Sequence, residues 1–523
     1  MSAFDTGVSS DGERPMAHMT LVRPPALISR NTLQGPLTPP IGPAYLAGSL
    51  RKAGHAVAIV DAVGEAPSKI SDLFNGTMLA TGLGIEEMVE RVPRHTDVIG
   101  ISCMFSHEWP YIRLLIESLR HAFPSVLIVA GGEHITALPE FTLEQCPAVD
   151  LCVLGEGEET LLDVGANLKR RAELSGVGGL AVRDHGQIRR TCARPRIRHV
   201  DEIPWPAWDL IPMENYLDQR LGYGVDLGRS MPILATRGCP YQCTFCSSPS
   251  MWTTRYVTRK PTLLLDEIQT YIDQYGATNI DFYDLTAIIK KDWIIEFCRS
   301  ISDRGLRFTW QLPSGTRSEA IDPEVSHHLF LAGCRNLTYA PESGSPTTLR
   351  RIKKVVKLDR MVHSMRGAVG NGVNLKANII IGFPDETRSE LWETMRFVVR
   401  MALIGVHDIS ISMFSPYPGS ELYEGLRSQG KIKDLSDEYF LALAAYTDMK
   451  QSVSWSEHVS SKELGWWRLI GLLVFYGVQY GIRPWRLAHT LANVVMNRQE
   501  SRLEKSIHDY FKRMFHSQMA KSS

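Results

Sequence analysis

From Met231 to Phe414 the chain repeats one unit: a short apolar run, a turn rich in Gly, Pro or polar groups, then a stretch with helical apolar spacing. This alternation limits the possible folds more than any other feature, because parallel strands need a helical crossover to return to the same sheet edge. The runs are Met231–Thr236, Thr278–Tyr283, Arg307–Leu312, Asn336–Ala340, Asn374–Ile381 and Asp408–Phe414. The spacing between them predicts helices over Thr262–Tyr275, Trp293–Asp303, Asp322–Leu331, Leu358–Val369 and Ser389–Met401. A parallel α/β sheet or barrel follows, and such folds build their sites at the C-terminal ends of the strands.

The first run ends at such an edge and enters ATRGCPYQCTFCSSPSMW, which holds Cys239, Cys243 and Cys246 in a C-x3-C-x2-C spacing. The chain has nine Cys, and the other six stand singly, as small buried hydrophobes do. Three thiols this close read as metal ligands when the compartment is reducing. The count matters: structural zinc and ordinary iron–sulfur clusters take four protein ligands. A [4Fe–4S] cluster on three thiolates keeps one iron open to a substrate or cofactor. A zinc ion completed by a distant His is the rival reading.

The segment resembles the radical S-adenosylmethionine (SAM) enzymes, whose signature is this spacing after the first barrel strand. The resemblance implies a partial (β/α)6 barrel over residues 231–430, with Cys239, Cys243 and Cys246 as cluster ligands and SAM on the open iron. Phe245 takes the aromatic position near the adenine. Glu342, in YAPESGS, resembles the segment after strand four that bonds SAM or lines the substrate cavity, with a helix N-terminal carboxylate as the plain alternative. Asp284, in FYDLTA, falls where the family contacts SAM, and Gly382, in IGFP, falls where strand five lies against adenine.

Residues 18–165 read as a separate doubly wound, Rossmann-like α/β domain, with strands at Met19–Val22, Ala56–Asp61, Asp97–Ser102, Val126–Ala130 and Val149–Leu154. The strings PPIGPAYLAGSLRKAGHAV, DVIGIS, VAGGEHIT and VLGEGEET together resemble the cobalamin-binding domain that often precedes a radical SAM barrel. By that resemblance Gly131, Gly132, His134, Thr136, Gly155, Glu156 and Gly157 contact cobalamin, with small residues letting backbone approach the corrin. The Asp-x-His-x-x-Gly string that supplies a lower cobalt ligand is missing, so the cobalt is expected to bind without a protein His; His107 is the rival ligand.

Residues 1–17 are expected to be disordered, 166–230 to link the two domains, and 431–523 to form a helical C-terminal region. Val182–Arg198 carries six Arg and reads as solvated surface. The run around Trp466, Trp467, Leu469, Ile470, Leu472, Leu473, Phe475 and Tyr476 reads as a helix capping the barrel. The alternative is an interfacial helix that makes peripheral contact with a membrane. Its uncharged stretch, Leu469–Ile482, is too short to cross a bilayer, which takes about 20 residues. With no signal-peptide pattern at the N-terminus, the expected compartment is the cytoplasm. The 57 basic and 57 acidic residues cancel, which argues against nucleic acid as a partner.

The resemblance implies an enzyme that cleaves SAM reductively to a 5′-deoxyadenosyl radical and methylates an unactivated carbon through cobalamin. The substrate class expected is a small or lipid-like molecule, and the electron donor a flavodoxin or ferredoxin. The alternatives are a non-methylating cyclisation or rearrangement with the same cofactors, and a non-catalytic cobalamin or SAM sensor.

Overall fold

A computed structural model describes residues 16–33, 35–316 and 320–522, with side chains as far as Arg513. Most of the N-terminal segment expected to be disordered lies outside the described residues.

Two parallel sheets organise the chain. The strands of the first part are β1 (His18–Arg23), β2 (Ala26–Ser29), β3 (Ala56–Asp61), β4 (Ile70–Leu73), β5 (Met78–Thr81), β6 (Val98–Ser102), β7 (Leu127–Gly131), β8 (Leu151–Val153), β9 (Leu180–Asp184) and β10 (Gln187–Arg190). Their main sheet has the order β10-β9-β8-β7-β6-β1-β3 and is parallel from β3 to β8. The chain order reverses between β1 and β6, so the crevice of a doubly wound sheet opens there.

Two features depart from the expected layout. β9 and β10 fall inside the expected linker, yet they continue the sheet as antiparallel strands. Their signal was masked by Arg, which suits a solvent-facing edge strand. β2, β4 and β5 form a small antiparallel sheet with no sequence forecast. Of the Arg read as solvated surface, Arg183, Arg189 and Arg190 are exposed, and Arg183, Arg189, Arg190, Arg194 and Arg196 also reach the carbonyl of Val149, Asp184, Glu140, Glu159 and Glu156.

The second sheet comprises β11 (Ser230–Ile233), β14 (Asn279–Phe282), β15 (Thr309–Thr316), β16 (Cys334–Glu342), β17 (Asn374–Ile381) and β18 (Asp408–Met413), all parallel and in chain order. A two-stranded ribbon, β12 (Thr236–Arg237) with β13 (Val257–Thr258), follows β11. β15 and β16 run past their expected ends through register shifts at Leu312/Gly315 and Tyr339/Glu342. A bulge absorbs extra residues, so Pro313-Ser314-Gly315 and Pro341-Glu342 stay in strands where turns were expected.

The helix Ser461–Ile482 lies on this sheet, its Gly471 against Ile411 of β18. The barrel-capping reading of this segment therefore describes its inner face. Arg502, at the start of helix Arg502–Ser522, donates its backbone N–H to Asp408 at the foot of β18 (2.7 Å) and its guanidinium to the Tyr223 carbonyl ahead of β11. It thus bridges the two open edges of the six-stranded sheet. No helix among the described residues is long and apolar enough to cross a membrane.

Candidate functional site

The Cys loop leaves β12 through Gly238, whose φ is +83°. A Cβ there would lie 2.0 Å from the Arg255 carbonyl oxygen, so only Gly lets the two backbones meet. The loop is then pinned by backbone bonds: Thr244 N–H to the Ile352 carbonyl (3.1 Å), Leu422 N–H to the Thr244 carbonyl (2.8 Å) and Cys246 N–H to the Cys243 carbonyl (3.1 Å). Cys239, Cys243 and Cys246 are half-buried and in no disulfide. Burial pushes the Cys246 thiol up to about 12, and Glu133, Cys243 and Cys239 add to the rise. Cys239 and Cys243 are thus near enough to act on its charge. A cluster spreads its ligands over separate irons, and three thiols within eight residues of one loop fit that need.

Across from the loop is a cleft of about 480 Å³. Its N-terminal wall comes from the strand ends on both sides of the reversal point: Leu21–Pro24, Gly100–Ser102 with Met104 and Phe105, Gly131–Glu133 and Gly155–Glu158. Its other wall comes from the barrel: Leu234, Thr236–Gly238, Met251, Trp252, Tyr283, Leu285 and Ser314. Gly132 has φ +119°, and a Cβ there would lie 2.3 Å from the Cys103 carbonyl oxygen. A methyl placed on Gly131 would meet only Val153, at 3.7 Å, so Gly131 leaves room on the cleft side. A broad, largely apolar cleft with a glycine floor fits a flat macrocycle.

Residues 34–165 match the family model for the B12 binding domain, and residues 233–398 match that of the radical SAM superfamily. An uncharacterized methyltransferase of Pyrococcus horikoshii is 31% identical over 407 residues, covering 77% of this chain and 82% of that one. This chain belongs to the cobalamin-dependent radical SAM family. An anaerobic magnesium-protoporphyrin IX monomethyl ester cyclase of Cereibacter sphaeroides is 30% identical, covering 77% of this chain and 63% of its own. The fold also matches the radical SAM methyltransferase TsrM of Kitasatospora setae, with a TM-score of 0.62 at 17% identity, over 81% of this chain and 80% of that one.

Within the radical SAM barrel, the structure brings some expected residues together. The Phe245 ring lies 5.7 Å from that of Phe383, beside Gly382, whose N–H donates to Glu386 (2.6 Å). Glu342 has φ +66°, a strained value for a side-chain-bearing residue, and its carboxylate is held by Lys354 at 2.9 Å. Asp284 also bonds the protein itself. Its carboxylate accepts the backbone N–H groups of Ala235 (3.1 Å) and Thr236 (2.5 Å) and the Thr236 hydroxyl. Burial pushes it up to about 6, against the pull of these bonds. Asp284 therefore braces the entry to the Cys loop.

In the cobalamin-binding domain, Gly131, Gly132, Gly155 and Gly157 line the cleft; His134 and Thr136 do not. Thr136 ties the two Gly loops together, accepting from Gly155 N–H (3.0 Å) and donating to the Gly132 carbonyl (2.9 Å). His134 is stacked on Trp109 at 5.1 Å and edge-on to Phe440 at 5.4 Å, with Nδ1 3.0 Å from the Ser106 hydroxyl. His107 is also buried, its Nε2 on the Leu27 carbonyl at 3.1 Å. No His lines the cleft among the described residues.

Burial alone pulls His134 down to about 3, below its ordinary 6.5. A folded-state value below the unfolded one means that its contribution is complete above pH 6.5 and is lost as pH falls toward 3. His134→Phe should therefore flatten the fall in melting temperature between neutral and mildly acidic pH. An unchanged pH slope in a thermal-melt series would refute this.

Glu156 lines the cleft, yet its carboxylate is used by protein. It accepts from Arg196 Nε (2.7 Å), Ile197 N–H (2.8 Å) and Arg237 Nη1 (3.1 Å), while Arg237 also reaches Glu158. Burial opposes the charge on Glu156, but Arg196 and Ile197 outweigh it and hold the carboxyl below its usual range. Sequence reasoning missed Arg237, Glu158 and Arg196 as one unit. The available signal was charge: Arg237 beside Cys239, and a second Glu in GEGEE, end strands that face one cleft.

Proposed function

We propose that this enzyme uses a [4Fe–4S] cluster, SAM and cobalamin to methylate an unactivated carbon of a small molecule. One observation carries the reading: strand ends of the B12-type sheet and the start of the Cys loop line the same cleft. When bound, the three groups supply an electron, a carbon-centred radical and a methyl group. The chain supplies position. Cys239, Cys243 and Cys246 hold the cluster. Phe245 and the Gly382–Phe383 turn form the adenine wall, with Glu342 and Lys354 beside it. Gly131, Gly132, Gly155 and Gly157 form the cobalamin floor. Tyr223, Tyr283, Leu285 and Ser314 are left to face the substrate and exclude water, which would quench a radical. A small one-electron protein of the flavodoxin or ferredoxin type completes the reaction.

The cyclase relative supports a second reading, a non-methylating reaction with the same cofactors. Anaerobic reconstitution with iron, sulfide and cobalamin, followed by mass spectrometry of the SAM products, decides between them. S-Adenosylhomocysteine together with 5′-deoxyadenosine supports methylation. 5′-Deoxyadenosine alone sinks it.

A further inference from the structure

A helix that is apolar on every side belongs inside a protein or a membrane. Past its first turn Ser461–Ile482 comes close to this, with Arg468 and Gln479 buried on its inner face, and only half of the helix is covered. Leu464, Trp467, Gly471 and Phe475 face the barrel and are buried. The opposite stripe, spaced three and four residues apart, presents Trp466 (56% exposed), Leu469, Ile470 and Leu473 (63%). The next helix, Pro484–Val495, adds Trp485 (64%), Leu487, Leu491 and Val495 (85%). Large apolar side chains gathered this way mark a surface that meets a partner.

Charge identifies the partner. Between Glu463 and Glu500 the chain has no Asp or Glu, while Arg468, Arg483, Arg486 and Arg498 lie in that interval with His489. Two of these Arg also fix the platform: Arg483 donates to the carbonyls of Ala402 (3.1 Å) and Leu403 (2.9 Å), and Arg486 to that of Gly405 (2.9 Å). Arg468 is buried under the helix and His489 lies 3.6 Å from Glu500, so the half-buried Arg483 and Arg486 and the exposed Arg498 set the charge of this face, and self-association would bring these like charges together. An anionic lipid surface supplies the missing charge, accepts the apolar stripe, and suits Trp and Arg at its boundary. We propose that the outer face of helices Ser461–Ile482 and Pro484–Val495 docks the protein on an anionic bilayer. The reading is independent of the reaction that the cleft performs.

Flotation of the full-length protein with phosphatidylcholine vesicles, with and without phosphatidylglycerol, tests it. The protein should rise with the anionic vesicles, less so at high salt, and stay behind with the neutral ones. Leu473→Glu combined with Trp485→Glu alters only exposed positions and should lower binding roughly tenfold or more. Leu331→Glu, an exposed apolar site on another helix (66%), should leave binding unchanged. No flotation with anionic vesicles overturns the proposal, as does equal binding to neutral ones. A dimer in sedimentation velocity that the double substitution dissolves, without vesicle binding, assigns the face to a second copy and overturns it too.

Discussion

Cys246→Ala is expected to remove SAM cleavage altogether: the reconstituted variant should give no 5′-deoxyadenosine above background and bind little iron. A cluster on three thiolates has no spare protein ligand, and the loop cannot recruit one. The lone Cys103, Cys146, Cys152, Cys298 and Cys334 are buried, and Cys192 lies in the segment after β10. Cobalamin binding should survive, because the glycine floor belongs to another sheet. That difference separates loss of the cluster from loss of the fold. Cys334→Ala is the matched control: it should keep iron and activity and lose only about 1–2 kcal/mol of stability for a small buried side chain. A Cys246→Ala protein that still cleaves SAM at a rate near that of the parent would end the ligand assignment.

The barrel was legible because its strands are buried on both faces and its helices on one, so each element writes its own period into the chain. Asn374–Ile381 reads the same from sequence and structure. The Cys spacing was legible because ligand chemistry is local. What stayed hidden depends on distant groups. Asp284 reads as a cofactor contact, and its bonds from the Ala235 and Thr236 N–H groups are invisible in the sequence. His134 reads as a cobalamin contact, and only the fold reveals Trp109 and Phe440 against its ring. β9 and β10 carry too many Arg to resemble core strands, and only the acids and carbonyls they meet explain those charges. Apart from Asp184, five residues before Arg189, the partners lie tens or hundreds of residues away, beyond the reach of a periodicity.

Arg237→Ala should cause the largest loss of stability of any substitution in the cleft. Arg237 is buried and joins two domains: its guanidinium meets Glu156 and Glu158 from the first sheet and lies 5.3 Å from the Tyr45 ring. Burial opposes its charge, and the two Glu overcome that and push its pKa up. Removing one member of a buried ion network leaves the others uncompensated, at a cost of about 3–5 kcal/mol. Here Glu158 loses its Arg while Glu156 keeps Arg196. The functional effect should exceed simple unfolding, because Arg237 is two residues before Cys239 and the clamp sets the Cys loop against the glycine floor. A displacement of that loop should leave SAM cleavage running and starve the transfer to substrate, raising the ratio of 5′-deoxyadenosine to product by about tenfold or more. Arg237→Lys keeps the charge without the fork and should fall between the two. Acid should loosen the same clamp. The folded-state value of Glu156 lies below its ordinary 4.5, so its contribution is complete above that pH and fades as pH falls further. If 5′-deoxyadenosine and product decline in step in folded Arg237→Ala, the clamp has no part in coupling the two halves of the cleft and is a stability element alone.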